Sequence, residues 1–150
     1  NVLREVNPEA FYAEIPALRK QVGDRAVLRA MHFYSDNDRV LKEVAALRKG
    51  DFETFKKYIL QSGFSSYMYN QNVFSVKKPQ EQPVSLALAI SQQILEGRGA
   101  WRVHGGGFAG TIQAFVPMDL LDDYKSAVES VFGEGACYVL SIRPVGGTEI

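Results

Sequence analysis

Apolar positions in this chain change period part-way along it, and the change divides the sequence in two. Over residues 1–62 they recur every three or four residues, the spacing that puts side chains on one face of an α-helix. Asn7-Pro8 is a favourable helix start: asparagine caps free N–H groups, and proline's missing N–H is harmless at the first helical position. Phe11, Ile15 and Leu18 then predict a helix from Pro8 to about Val22, closed by Gly23. Asp24 opens a second, with a stripe of Val27, Leu28, Met31, Val40, Leu41, Val44 and Leu47; Arg48-Lys49 sits at its negative end and Gly50 stops it. Ser35-Asp36-Asn37-Asp38 marks a point where that helix kinks or splits. Asp51 caps a third helix carrying Phe52, Phe55, Tyr58 and Ile59.

From Gly63 to Pro83 the pattern is polar, and Pro79 and Pro83 exclude a continuous helix; Val73-Phe74-Ser75-Val76 has the character of a short strand. Ser85 to Glu96 returns to helical spacing through Leu86, Ile90 and Ile94, with Ala87, Leu88 and Leu95 widening the apolar surface. Beyond Gly99 the period falls to two. Ala100 to His104 and Thr111 to Val116 read as strands around a glycine-rich turn, and Ala136 to Ile142 as a third. Between them Asp119, with Asp122 three residues on, is expected to cap a helix bearing Leu120, Leu121, Tyr124, Ala127, Val128, Val131 and Phe132.

This order predicts an α+β fold. Residues 70–150 read as a ferredoxin-like β-α-β-β-α-β sheet, antiparallel, with helices on one face; the mainly helical residues 1–62 form an added layer. A length of 150 residues suits one domain, and an apolar fraction of 46% suits a packed core.

Charge and cysteine content narrow the chemistry. Seventeen basic residues balance seventeen acidic ones, so no overall field draws in nucleic acid or anionic lipid. Cys137 is the only cysteine, which fits a reducing, cytoplasmic setting, and it reads as a core residue of its strand. No stretch has the length and apolarity of a transmembrane helix. His32 and His104 belong to no zinc-binding pattern, and the aspartates read as caps and turn residues rather than a general acid and base. No catalytic residue and no metal ligand is expected among these groups.

The strongest chemical signal is His104-Gly105-Gly106-Gly107-Phe108-Ala109-Gly110-Thr111. Consecutive glycines are unfavourable to order by roughly 0.5–1 kcal/mol each against alanine, so such a run points to a place where side chains would obstruct something. Bare N–H groups in succession can form an anion-accepting nest. Two readings stand on these residues alone: a flexible hairpin connection, or close approach of a ligand or another domain. A Walker loop is excluded because no Gly-Lys-Ser/Thr follows, and the dinucleotide fingerprint because the run leads into a strand.

Three segments together carry a family resemblance: Arg29-Ala30-Met31-His32 through Asp38-Arg39-Val40-Leu41, Ala45-Ala46-Leu47-Arg48-Lys49-Gly50-Asp51-Phe52, and Arg102-Val103-His104 through Gly110. In this order they resemble the C-terminal part of galactokinases, members of the superfamily that includes homoserine, mevalonate and phosphomevalonate kinases. Leu3-Arg4-Glu5-Val6 suits the stretch that opens this part. The resemblance implies a C-terminal domain of ferredoxin-like topology that forms one wall of a cleft, the other wall being an N-terminal kinase domain absent from this chain. It implies ATP with magnesium as co-substrate and galactose as phosphoryl acceptor. It places Gly105, Gly106, Gly107, Phe108 and Gly110 along the cleft, with His104 as a possible neighbour of the ligand. Galactokinases usually carry threonine at the position of His104, glycine at Ala109 and often cysteine at Thr111; a charged Arg-Asp-Asp segment stands where this chain has Ser66-Tyr67-Met68-Tyr69-Asn70. The competing readings are a related kinase of different substrate, and a free-standing ligand-binding or regulatory domain of the same fold.

Overall fold

The computed structural model describes residues 2–108 and 110–142. Helices α1 (Pro8–Ala13), α2 (Ile15–Val22), α3 (Asp24–Arg48), α4 (Phe52–Ser65) and α5 (Pro83–Leu95) precede strands β1 (Ala100–Val103) and β2 (Ile112–Phe115), and α6 (Leu121–Phe132) follows. Asn7 caps α1 by accepting hydrogen bonds from the N–H groups of Glu9 and Ala10. The single helix expected to Val22 is two, because Pro16 lacks the N–H that would continue the ladder; the chain restarts at Ile15. The helix does not split at Ser35–Asp38: α3 runs unbroken from Asp24 to Arg48. Those side chains are used along the helix and across it: the Ser35 hydroxyl donates to the His32 carbonyl, and Asp36 accepts from Arg39 at 3.0 Å.

β1 and β2 form an antiparallel hairpin in which Ala100 faces Phe115 and Val103 faces Ile112. Alternation along β1 sends neighbouring side chains to opposite faces. Ala100 joins Ala46, Phe55 and Ile59 from α3 and α4, where the Phe55 and Phe115 rings meet edge to face at 5.2 Å. On the other face Trp101 packs with Leu95, Tyr124 and Val128 from α5 and α6, and Val103 with Val73 and Val84. The hairpin is therefore sandwiched, with α5 and α6 on one face and the added helical layer on the other. Gly63 lets α4 lie close on β1, since a Cβ there would stand 3.0 Å from the Trp101 carbonyl oxygen and 3.1 Å from the Arg102 Cβ.

Three expectations for the ferredoxin-like part are corrected. Residues 73–76 form no strand: Val73 is buried side chain first under Val103, and the loop's backbone bonds to the glycine turn instead of a ladder. Residues 136–142 lie outside any strand as well; alternation fixes which side chains share a face but supplies no partner edge. Cys137 still packs against the Leu95–Tyr124 cluster, while Tyr138, Leu140 and Ile142 are exposed. Asp119 does not cap a helix side chain to backbone; it pairs with Arg98 at 2.7 Å, and α6 begins after a short 3-10 turn, Met118–Leu120. The described residues form an α+β architecture with a two-stranded antiparallel sheet, and the full six-element ferredoxin-like sheet is not seen among them. Among them too, no helix is long and apolar enough to cross a membrane.

The second helix also turns an unexpected face inward. Val40, Leu41, Val44 and Leu47 are exposed, while His32, Asp36, Arg39 and Glu43, spaced to one side of α3, are half-buried.

Leu95 has no exposed surface and is shared by the elements on the α5–α6 face. Leu95→Ala is expected to lower stability by about 2–5 kcal/mol in urea denaturation. Val131→Ala, on the half-exposed side of α6, should change it by no more than about 0.5 kcal/mol.

Candidate functional site

β1 delivers the chain into the glycine turn, and the hairpin ladder continues one step beyond the strands: the His104 N–H donates to the Thr111 carbonyl at 3.1 Å. Gly105, Gly107 and Gly110 have left-handed backbones, at φ 66°, 74° and 90°, and Phe108 adopts φ 58° despite its side chain. Ala109 lies outside the described residues.

The glycines in this turn do different jobs. A Cβ on Gly107 would fall 2.2 Å from the Asn72 carbonyl oxygen and 2.7 Å from its Cγ, a distance no real contact tolerates. Gly107 is thus fixed by packing within the chain as well as by its φ. Gly105 and Gly110 have open space around them but need their left-handed φ. Gly106 needs neither: its φ lies outside the left-handed region, and a Cβ there would meet nothing within 4 Å. Among the described residues nothing gives a reason for glycine at this position.

Polar groups in the turn divide too, between those that Asn72 engages and those with no partner among the described residues. The Phe108 N–H donates to the Asn72 carbonyl at 2.8 Å, and the Asn72 side-chain Nδ2 donates to the Gly106 carbonyl at 3.2 Å. No hydrogen bond to another described residue engages the N–H groups of Gly105, Gly106 or Gly107. Successive free N–H groups on left-handed and ordinary backbone in alternation are suited to an anion. Phe108 and His104 are both exposed at the rim.

The sequence-predicted residues Gly105, Gly106, Gly107, Phe108, Gly110 and His104 are thus brought together, as adjacent positions of one turn must be. Asn72 was missed. It comes from the segment with the weakest periodicity, and nothing in its local pattern signals that it is 2% exposed beneath a turn more than thirty residues away. A local irregularity accompanies it: a π-helical turn at Ser66–Asn70 and a left-handed Gln71 at φ 52° precede it directly. Such features concentrate at functional sites.

His32 is placed differently. Its Nδ1 lies 3.0 Å from the Ser65 hydroxyl and its Nε2 4.0 Å from Asp36, whose other oxygen accepts from Ser62 at 2.6 Å. Serine, histidine and aspartate in a row invite comparison with a nucleophile relay, but the geometry opposes it. Asp36 stands too far from the ring for a hydrogen bond, and Ser65 is 4% exposed, with no access for a substrate. The group is a polar seam between α3 and α4. Burial holds the His32 ring below its ordinary value; Asp36 opposes that shift, while Arg39 and Arg102 add to it. Burial likewise raises the Glu43 carboxyl, against the pull of Arg102. Cys137 is no activated nucleophile: burial first, and then Glu129, push its thiol up. Among the described residues no group of three or more His, Cys, Asp and Glu side chains is placed to hold a metal ion.

No protein-family model matches the chain.

Two predictions follow from this geometry. Gly107→Ala should cost at least about 2 kcal/mol by thermal or urea denaturation, from left-handed strain plus the Asn72 clash. Gly106→Ala should stay within about 0.5 kcal/mol of the parent chain. For His32, the unfolded chain takes up its proton near 6.5 and the folded one only at lower pH. The stability it contributes is therefore complete above about 6.5 and declines as pH falls through the folded value. The stability difference between the parent chain and His32→Gln should shrink between about pH 7.5 and about pH 5, measured by urea titrations across that range. A constant difference would mean that folding leaves the titration of the ring unchanged, and a difference that grows toward low pH that the fold favours the charged ring.

Proposed function

We propose that this chain forms one wall of the active-site cleft of a galactokinase-like sugar kinase, an enzyme that transfers the γ-phosphoryl group of ATP to a galactose hydroxyl. The reading rests on the three resembling segments and on one structural observation, Gly106. Its missing side chain answers to no torsional demand and to no packing demand of the described residues. A molecule approaching from outside supplies the demand, and the N–H groups of Gly105 to Gly107, which bond to no other described residue, fit a negatively charged one. In a phosphoryl-transfer site, bare backbone approaches the crowded phosphates without collision and offers them fixed dipoles.

The turn carries no carboxylate, so the magnesium ion that accompanies ATP would take its protein ligands from elsewhere in the cleft. The other wall of the cleft is the N-terminal kinase domain. The exposed row Val40, Leu41, Val44 and Leu47 is a surface suited to burial against such a domain. With His104 and Phe108 at the rim, the turn's side chains bear on which sugar is accepted, whereas its backbone bears on the phosphate.

The test uses the full-length parent enzyme, assayed for ATP turnover with galactose and a panel of other sugars. Galactose-dependent turnover is expected, and Gly106→Val should reduce kcat/KM at least about tenfold, about 1.4 kcal/mol of transition-state stabilisation, while leaving Tm within about 3 °C. The isolated chain should show no sugar-dependent ATP consumption. Absence of turnover with every sugar would remove the kinase reading, and turnover with a different sugar would remove galactose alone.

A further inference from the structure

We infer that Asn72 is a positioning residue that sets which way the glycine turn presents its backbone; the consequence for a ligand rests on the functional reading above. Asn72 holds the turn at two points, accepting from the Phe108 N–H through its own carbonyl and donating from Nδ2 to the Gly106 carbonyl. That second bond has a directional effect. In a trans peptide the C=O and the next N–H point in opposite directions. Drawing the Gly106 carbonyl in toward Asn72 therefore turns the Gly107 N–H away from it.

The other end of the same amide shows that this grip is not merely a way of filling the core. Asn72 Oδ1 is buried, and no hydrogen bond reaches it from the described residues. A buried acceptor without a donor disfavours the fold, and an apolar side chain at this position would remove that defect. Asparagine is unfavourable here by that measure, yet its donating end holds Gly106, the glycine of this turn for which the described residues give no other reason. The two non-glycine residues with left-handed backbones among those described, Gln71 at φ 52° and Phe108 at φ 58°, flank this contact on its two sides. Both segments are thus held in uncommon backbone conformations where they meet.

The inference separates turn order from stability, and the chain alone can test it. Asn72→Ala keeps the backbone bond to the Phe108 N–H and removes the Nδ2 bond to Gly106 together with the buried Oδ1. The expected result is a Tm within about 3 °C of the parent chain. Backbone 15N relaxation should show the Gly106 and Gly107 order parameters falling from about 0.85 to below about 0.6. If Asn72→Ala does not fold, Asn72→Leu, which restores the lost volume, is measured in the same way. Unchanged order at Gly106 and Gly107 in either folded variant overturns the inference. So does failure of both variants to fold, which would make Asn72 a core residue and nothing more. Neither readout involves ATP, sugar or the parent enzyme, so the kinase reading can fail while this one stands, and the reverse.

Discussion

The structure depends on β1 being buried from both sides. Three of its residues each belong to a different cluster: Ala100 to the α3–α4 packing, Trp101 to the α5–α6 packing, and Val103 to the patch formed by Val73 and Val84. A two-stranded hairpin is marginal in water without such cover. Here the cover comes from helices that precede and follow it in sequence, and α4 reaches the strand closely because Gly63 has no side chain. Since the glycine turn continues straight from β1, the site inherits its position from this one strand.

The turn itself is half structure and half free surface. At Gly107 the absence of a side chain is explained by Asn72, against which the backbone lies. At Gly106 the described residues supply no explanation, and the N–H groups of Gly105 and Gly106 bond to no other described residue. A hairpin kept only for connection would not need both. This division is what turns a run of glycines, which in the sequence was equally a loop or a contact, into a candidate site with a held side and an open side.

Much of the fold was legible because it is local. Caps at Asn7 and Asp51, helical spacing in α4 and α5, and alternation in β1 and β2 all act within a few residues, and each stands where the sequence puts it. What was not legible depends on partners distant in the chain. The alternation at 136–142 is real but finds no strand edge, and Val73 is buried without being in a strand. In α3 the apolar stripe Val40, Leu41, Val44 and Leu47 reads as core, yet the helix buries His32 and Asp36 instead, because Ser62 and Ser65 of α4 offer them hydrogen bonds. Of the candidate site, the glycines were visible as a run. The distinction among them was not, since it is set by Asn72 across a long stretch of chain.

The central claim is that the turn's backbone divides between groups held by the fold, the Phe108 N–H and the Gly106 carbonyl, and the N–H groups of Gly105 and Gly106, which bond to no other described residue. Amide hydrogen exchange on the unmodified chain, read residue by residue by NMR, tests it most directly. The account predicts a protected Phe108 amide, through its bond to the Asn72 carbonyl, beside Gly105 and Gly106 amides that exchange nearly as fast as in an unfolded peptide. Protection at Gly106 comparable to that at Phe108 would contradict it, because the chain would then already be using the N–H that the account leaves for a ligand.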